Sequence, residues 1–197
     1  NLHPLEEATG LQSALDGGHD PKKLAARLGK SPAFVLRRAS LTNLCKTWRD
    51  EVLRPESDAS RLSVQHLELI SRLPAETQEM LAENRFHRVF ARGFPTVQEL
   101  RRVIDDGLRA LVSMPWRLDD EGLDPKAGPC STCPKRSGMQ PELFDPDDAP
   151  TKGKIAPTDR CLDPCCFERK MGAFVLGREA EHRSKHPDLR LIQVGFS

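Results

Sequence analysis

The spacing of the cysteines restricts the fold of this chain more than any other feature of its sequence. Five of the six cysteines fall within the last 70 residues, at Cys130, Cys133, Cys161, Cys165 and Cys166. The neighbouring residues 115 to 160 are dense in Pro, Gly and Asp and contain no periodic apolar run. Such a segment buries little apolar surface, and a bound metal is a common source of its folding free energy. The clustered thiols therefore indicate a metal site before they indicate disulfides.

The cysteines supply two ligand pairs. Cys130 and Cys133 form one C-x-x-C pair, and Cys161 with either Cys165 or Cys166 forms the second. Four thiolates saturate a tetrahedral Zn²⁺ and leave no open position for water, so the predicted zinc site is structural. Cysteines that are reduced or disulfide-linked, without any metal, are the alternative interpretation.

Three other residues of metal-ligand type lie outside this set. His182 and His186 are one helical turn apart and could be ligands, but with four thiolates available we interpret them as surface residues. Cys45 lies beside Leu44 and near Trp48, and we expect it to be part of a hydrophobic core.

Apolar residues up to residue 112 recur at helical spacing. Helices are predicted over residues 4–15, 21–28, 32–41, 43–53, 64–72 and 75–90, and from Thr96 through Leu111, so that everything up to residue 112 is helical. The predicted fold class is mainly α. It has a helix-turn-helix domain at 1–112 and a small loop-rich four-cysteine zinc module at 113–197. We expect a C-terminal helix from Asp163-Pro164 and a short strand at 189–194 in that module.

The second and third predicted helices carry strong start and stop signals. Asp20 precedes Pro21, and Ser31 precedes Pro32, which is the pattern of an N-cap followed by proline at the first helical position. Gly29 separates the two helices and can take the positive φ of a tight turn. Two short helices joined in this way are typical of a helix-turn-helix motif.

The packing of this helix pair can also be predicted. Leu24, Ala25 and Leu28 are expected on the inward face of the second helix. Either Ala25 or Ala26 is small enough to let the third helix approach closely. Val35 is expected to fill the space between the two helices.

A localised basic segment coincides with the helix pair. Residues 20 to 49 hold eight Lys or Arg and one acid, a net charge of +7, while the remaining residues total −6. This pattern indicates a polyanion that docks at one place. The DNA-binding residues we predict are Lys22, Lys23, Lys30, Ser31, Ala33, Phe34, Arg37 and Arg38. The lysines are assigned to phosphates, and Arg37 or Arg38 to guanine in the major groove. Two packed helices with a solvated basic face are the alternative.

Several of these residues resemble the central DNA-binding domain of the ParB partition proteins. The likeness rests on His3-Pro4-Leu5-Glu6-Glu7-Ala8, on Leu24-Ala25-x-x-Leu28-Gly29-Lys30-Ser31-x-x-x-Val35-x-x-Arg38, on Leu41-x-Asn43-Leu44 and on Leu62-Ser63, and covers roughly residues 1 to 110. It implies sequence-specific binding of double-stranded DNA at a centromere-like partition site during plasmid or chromosome segregation. Pro32 and Leu36 make the recognition helix more apolar than is usual in the family.

The cysteine segment resembles the extension of some plasmid and phage ParB-like proteins. The matching residues are Cys130-Ser-Thr-Cys133-Pro-Lys-Arg-Ser-Gly138 and Asp159-x-Cys161-Leu-Asp-Pro-x-Cys166-Phe167. This resemblance implies the ligand set Cys130, Cys133, Cys161 and Cys166. Helix geometry favours the same choice, because Cys166 lies about 100° from Phe167 on the inward stripe whereas Cys165 lies about 160° away.

The resemblance also sets expectations about activity and partners. The family's CTP-binding and hydrolysing domain would lie before Asn1, so we expect this chain not to be an enzyme. No paired carboxylates or Cys-His nucleophile stand out. The partners implied are double-stranded DNA, a partition ATPase and a second copy in a homodimer, in the bacterial cytoplasm with no membrane association. A KorB-like transcriptional repressor and a zinc-dependent protein-interaction adaptor are the alternatives.

Overall fold

The computed structural model describes residues 2–85, 94–140, 143 and 155–187, and over these the chain is mainly helical, as predicted. The α-helices are α1 (Pro4–Asp16), α2 (Pro21–Leu28), α3 (Pro32–Ala39), α4 (Lys46–Leu53), α5 (Val64–Ser71), α6 (Ala75–Met80), α7 (Val97–Gly107) and α8 (Pro164–Lys185). The strands β1 (Arg109–Ala110) and β2 (Arg160–Cys161) pair antiparallel. Short 3₁₀ turns include Ser40–Asn43, Cys130–Thr132 and Ser137–Met139, and a π-helical turn, Leu81–Arg85, follows α6. The strand predicted at 189–194 and the end of the helix predicted at 75–90 lie outside the described residues.

Helix α1 contacts both hydrophobic clusters of the helical part. It begins at a capping box, in which the His3 backbone N–H donates to the Glu6 carboxylate at 3.0 Å. Ala8 is fully buried in the larger cluster, and Leu11 is buried in the smaller one. This helix therefore turns Ala8 and Leu11 toward the protein interior.

The helix pair α2 and α3 begins at the predicted caps. The Asp20 carboxylate accepts from the backbone N–H groups of Lys22 and Lys23 at 2.7 and 3.1 Å, and the Ser31 hydroxyl accepts from that of Phe34 at 3.1 Å. These bonds satisfy N–H groups that have no partner inside the helix. Gly29 ends α2 with φ of 63°, in the left-handed region that favours glycine.

A small cluster holds α1, α2 and α3 together. Val35 is fully buried and Ala25 is 2% exposed, so Ala25 rather than Ala26 faces the neighbouring helix. The prediction for Leu28 is wrong, because its side chain is 50% exposed. With only eight residues, α2 turns a narrow face inward, and Ala25 and Leu24 occupy it.

The main core lies between α4, α5, α6 and α7 and includes Cys45, as predicted. Its centre is Trp48, which is 2% exposed and donates from Nε1 to the main-chain oxygen of Gln78 at 2.9 Å. The buried Gln78 amide bonds three backbone groups, accepting from Cys45 N and donating to the oxygens of Asn43 and Leu73. A buried amide with these partners avoids the cost of unsatisfied polar groups.

The segment after α7 departs from the prediction. Thr96 caps α7 as expected, with Glu99 completing a capping box, but the helix ends at Gly107 instead of continuing through Leu111. Arg109 pairs with Cys161 in the β1–β2 ladder, which draws these residues out of the helix. Residues up to 112 are therefore not all helical.

The last described helix, α8, has Asp163 as its N-cap, as predicted. The Asp163 carboxylate accepts from the backbone N–H of Cys166 at 2.9 Å. Phe167 and Phe174 on this helix pack against Trp116, with ring centroids 5.5 and 6.2 Å apart. Its 22 residues include many charged side chains. Within the described ranges, no helix combines the length and apolarity needed to cross a membrane.

Candidate nucleic-acid interface and metal centre

Exposed polar side chains lie at the start of α2 and in the turn that leads into α3. Lys22 and Lys23 lie in the first turn of α2, and Lys30 and Ser31 lie in the turn before α3; all four are exposed. Because the Ser31 hydroxyl accepts from Phe34, its own hydrogen remains available to a further acceptor.

The first turn of α3 also brings Ala33 and Phe34 toward the surface, where both are half-buried. The Phe34 ring packs against the small cluster on one side. Lys30 Nζ lies 5.4 Å from its centroid, and the Arg38 guanidinium carbon lies 4.9 Å away. These cation–π distances hold two of the predicted DNA-binding cations against one ring.

Arg38 is occupied by carboxylates on two other helices. Its side chain is 15% exposed, and it contacts Glu7 of α1 and Glu68 of α5, the latter at 3.3 Å from Nε. This arrangement joins three helices. It turns the Arg38 guanidinium inward. Arg37, the other arginine of α3, has a half-buried side chain and makes no ion pair to a described carboxylate.

Arg37 belongs to a group of like charges. The pKa of the Arg72 guanidinium is lowered to about 10, mainly by burial and also by the nearby charges of Arg101 and Arg37, while the carboxylates of Asp105 and Glu68 oppose the shift. Repulsion among neighbouring arginines is relieved when an anion docks beside them. The charges of Arg37, Arg72 and Arg101 are therefore close enough to interact, with Glu68 and Asp105 beside them.

Four cysteines line one cavity of about 290 Å³: Cys130, Cys133, Cys161 and Cys166. The 3₁₀ turn Cys130–Thr132 brings the C-x-x-C pair to it, β2 brings Cys161, and the first turn of α8 brings Cys166. Cys165 faces elsewhere, since its Sγ lies 3.5 Å from Met80 Sδ on α6. The two histidines considered as ligands, His182 and His186, are exposed at the far end of α8.

Two of the four cavity sulfurs, those of Cys130 and Cys161, already have protein partners. Cys161 Sγ donates to the oxygen of Asp163 at 3.4 Å, and Cys130 Sγ accepts from Lys170 Nζ at 3.3 Å. In these rotamers, no three His, Cys, Asp or Glu side chains of the described residues are close enough together to hold a metal ion. The pKa of Cys161 is raised to about 12, mainly by burial and also by the three other thiols of the cavity, while the hydrogen bond to the Asp163 backbone opposes the shift. Burial also raises the pKa of Cys166, while the Lys170 charge opposes the shift.

Cations surround the four thiols. Five of them line the cavity: Lys126, Lys135, Arg136, Arg169 and Lys170. A divalent metal with four thiolates carries a net charge of −2, which nearby positive groups and N–H donors stabilise. The donor set is therefore chemically suited to Zn²⁺.

The sequence did not single out Lys170 or the burial of Arg136. Lys170 follows Cys166 by four residues, so helical spacing could have placed it on the same face. No local signal marks Arg136, whose side chain is 1% exposed and pairs with Asp159 at 3.5 Å.

Comparisons with protein-family models, with curated proteins and with solved structures find no match for this chain.

Proposed function

We propose that the chain binds double-stranded DNA through α2 and α3, with α3 in the major groove as in helix-turn-helix proteins. The observation that carries this proposal is the exposure of Lys22 and Lys23 at the start of α2 and of Lys30 in the turn before α3. These residues belong to a window of net charge +7 in a chain whose remainder is net negative. A localised basic surface next to an exposed helix end is the electrostatic footprint of a nucleic-acid partner.

The predicted contact residues divide into two roles. Lys22, Lys23, Lys30 and Ser31 contact phosphates, which fixes the position of α3 on the duplex without reading sequence. Arg37 reads a guanine edge, and Ala33 and Phe34 contact base edges from the first turn. Arg38 holds α3 against α1 and α5 through its carboxylate contacts, so we assign it to positioning the helix.

The proposed biological role is that of a ParB-like partition protein in a bacterial cell. It is supported by the likeness of residues 1 to 110 and of the cysteine segment to that family. A KorB-like repressor would use the same helices on a different operator. A partition ATPase and a second copy of the chain are the protein partners that this role requires.

We also propose a structural zinc ion held by Cys130, Cys133, Cys161 and Cys166. The shared cavity and its surrounding cations support this assignment. The ion would supply folding free energy to a segment with few apolar side chains.

A metal held by four thiolates has no open position for water, so we propose a binding protein rather than a metal-dependent enzyme. The CTPase activity associated with the ParB family is testable directly. Incubation with CTP should give no saturable turnover, and turnover above a buffer blank would contradict a purely binding role.

DNA binding can be tested by selecting duplexes from a fragmented bacterial genomic library and measuring their affinity by fluorescence anisotropy. A selected duplex should bind about 10³-fold or more tightly than random duplex at physiological salt. Its affinity should fall linearly with the logarithm of salt concentration. Equal, weak binding of all duplexes would instead favour the zinc-dependent adaptor.

A further inference from the structure

Lys170 is a buried lysine whose ammonium group faces a sulfur atom. It lies one turn after Cys166 on α8 and is 2% exposed. Its Nζ is 2.6 Å from the oxygen of Gly128 and 3.3 Å from Cys130 Sγ. Neither partner is a carboxylate. A buried ammonium is costly unless a negative charge lies close to it, and the sulfur is the atom here that can carry one.

Three other cations of the cavity, the half-buried Lys135, the buried Arg136 and the exposed Arg169, already contact carboxylates. Lys135 pairs with Asp163 at 2.8 Å, Arg136 with Asp159 at 3.5 Å and Arg169 with Asp124 at 2.9 Å. Their charges are largely offset within the protein. Lys126, the remaining cation of the cavity, is exposed to solvent, which screens its charge. Lys170 is thus placed to act on the sulfur itself.

A metal centre with four thiolates is stabilised by a nearby positive charge and by an N–H donor, and Lys170 supplies both. Its net charge of −2 is poorly solvated in a cavity, so a fixed positive charge nearby is stabilising. An N–H donor to a metal-bound thiolate forms a charge-assisted hydrogen bond, which also fixes the orientation of that ligand.

We propose that Lys170 is a positioning residue of the metal centre, which hydrogen-bonds the metal-bound sulfur of Cys130 and balances the charge of the four thiolates. This inference rests on the proposed zinc site. Loss of such a partner typically weakens metal affinity about tenfold to a hundredfold. The side chain's bond to Gly128 would additionally hold the loop before Cys130 in place.

The test uses the full chain with Co²⁺ as a spectroscopic probe and Zn²⁺ in competition with a chelator. The wild-type protein should bind one Co²⁺ with an intense sulfur-to-metal charge-transfer band. Lys170→Met should bind Zn²⁺ about tenfold to a hundredfold more weakly and shift that band to longer wavelength, because the unbonded thiolate is more electron-rich. Lys170→Arg should recover part of the affinity. Lys126→Met, which removes an exposed charge from the same cavity, is the matched control and should behave as wild type.

The outcomes separate the two proposals. A wild-type chain without a sulfur-to-cobalt band would refute the zinc site itself. A wild-type chain that binds metal, beside a Lys170→Met variant of equal affinity and unchanged band, would overturn the role of Lys170 alone. If Lys170→Met loses its helical circular dichroism, Lys170→Gln and Lys170→Arg are compared instead, and equal zinc affinities for these two would overturn the charge-balancing role.

Discussion

The hydroxyl of Thr77 on α6 donates a buried hydrogen bond of 2.8 Å to the main-chain oxygen of Leu162, the residue that follows Cys161. The Leu162 side chain is 1% exposed and belongs to the same hydrophobic cluster as Trp48. The cysteine segment therefore contributes a side chain to the core of the helical part. Events at the cysteine cavity and the stability of that core are physically connected.

Leu162→Ala should lower the free energy of unfolding by about 2–5 kcal/mol, because it leaves a cavity in the shared core. Urea denaturation followed separately through Trp48 and Trp116, in single-tryptophan variants, should give coincident transitions that both shift. Leu176→Ala is the matched control, since Leu176 is 66% exposed and its loss should change stability by less than about 0.5 kcal/mol. A shift seen only through Trp116 would show that the core is not shared energetically.

Metal content should depend on one of the two adjacent cysteines of α8. We expect one zinc per chain in the wild type and in Cys165→Ser, because Cys165 faces Met80 instead of the cavity. Cys166→Ser should lose the metal and unfold at lower temperature. Elemental analysis after dialysis against a weak chelator makes the comparison, and equal metal loss in both variants would contradict the ligand assignment.

Arg37 on α3 and Lys22 on α2 should differ in their effects on DNA binding. Arg37→Ala should cost about 1–3 kcal/mol of discrimination between the selected and random duplexes. Lys22→Ala should weaken binding to both equally and reduce the salt slope by about one unit. Anisotropy titrations at several salt concentrations measure both quantities, and identical behaviour of the two variants would argue against α3 as the reading helix.

Arg38→Ala should act mainly on stability. It leaves Glu7 and Glu68 without their shared cation, and we expect a loss of about 1–3 kcal/mol in the free energy of unfolding. Arg38→Lys should recover only part of this, because one ammonium does not match the two directions of the guanidinium. Thermal unfolding decides the matter, and an unchanged melting temperature in Arg38→Ala would contradict the positioning role.

Two glycine-to-alanine substitutions should change the free energy of unfolding in opposite directions. Gly29→Ala should destabilise the protein by about 1–2 kcal/mol, because φ at this residue is +63° and a side chain disfavours the left-handed region. Gly10→Ala lies within α1, where a Cβ meets nothing within 4 Å, and should stabilise by about 0.5–1 kcal/mol. Calorimetric melting of both variants tests the pair, and a destabilised Gly10→Ala would count against the description of α1.

The sequence by itself determined where most of the helices begin, although α4, predicted from residue 43, begins at Lys46. The caps at Asp20, Ser31, Thr96 and Asp163 lie within three residues of the N–H groups that they accept from, so a short window contains the whole interaction. The left-handed turn at Gly29 and the burial of Val35 follow from equally local patterns. For the cysteines, spacing predicted a cluster but left the second pair open until family likeness and helix geometry were added.

Only the tertiary structure decided the features that depend on distant residues. Arg38 meets Glu68, which is 30 positions later, and Lys170 meets Cys130, which is 40 positions earlier. The early end of α7 results from the pairing of Arg109 with Cys161. Such contacts form only when the intervening chain is folded back, and helical periodicity carries no information about which distant side chain that folding brings near. For this physical reason the sequence predicted most of the helices, while the inward turn of Arg38 and the shared core at Leu162 required the fold.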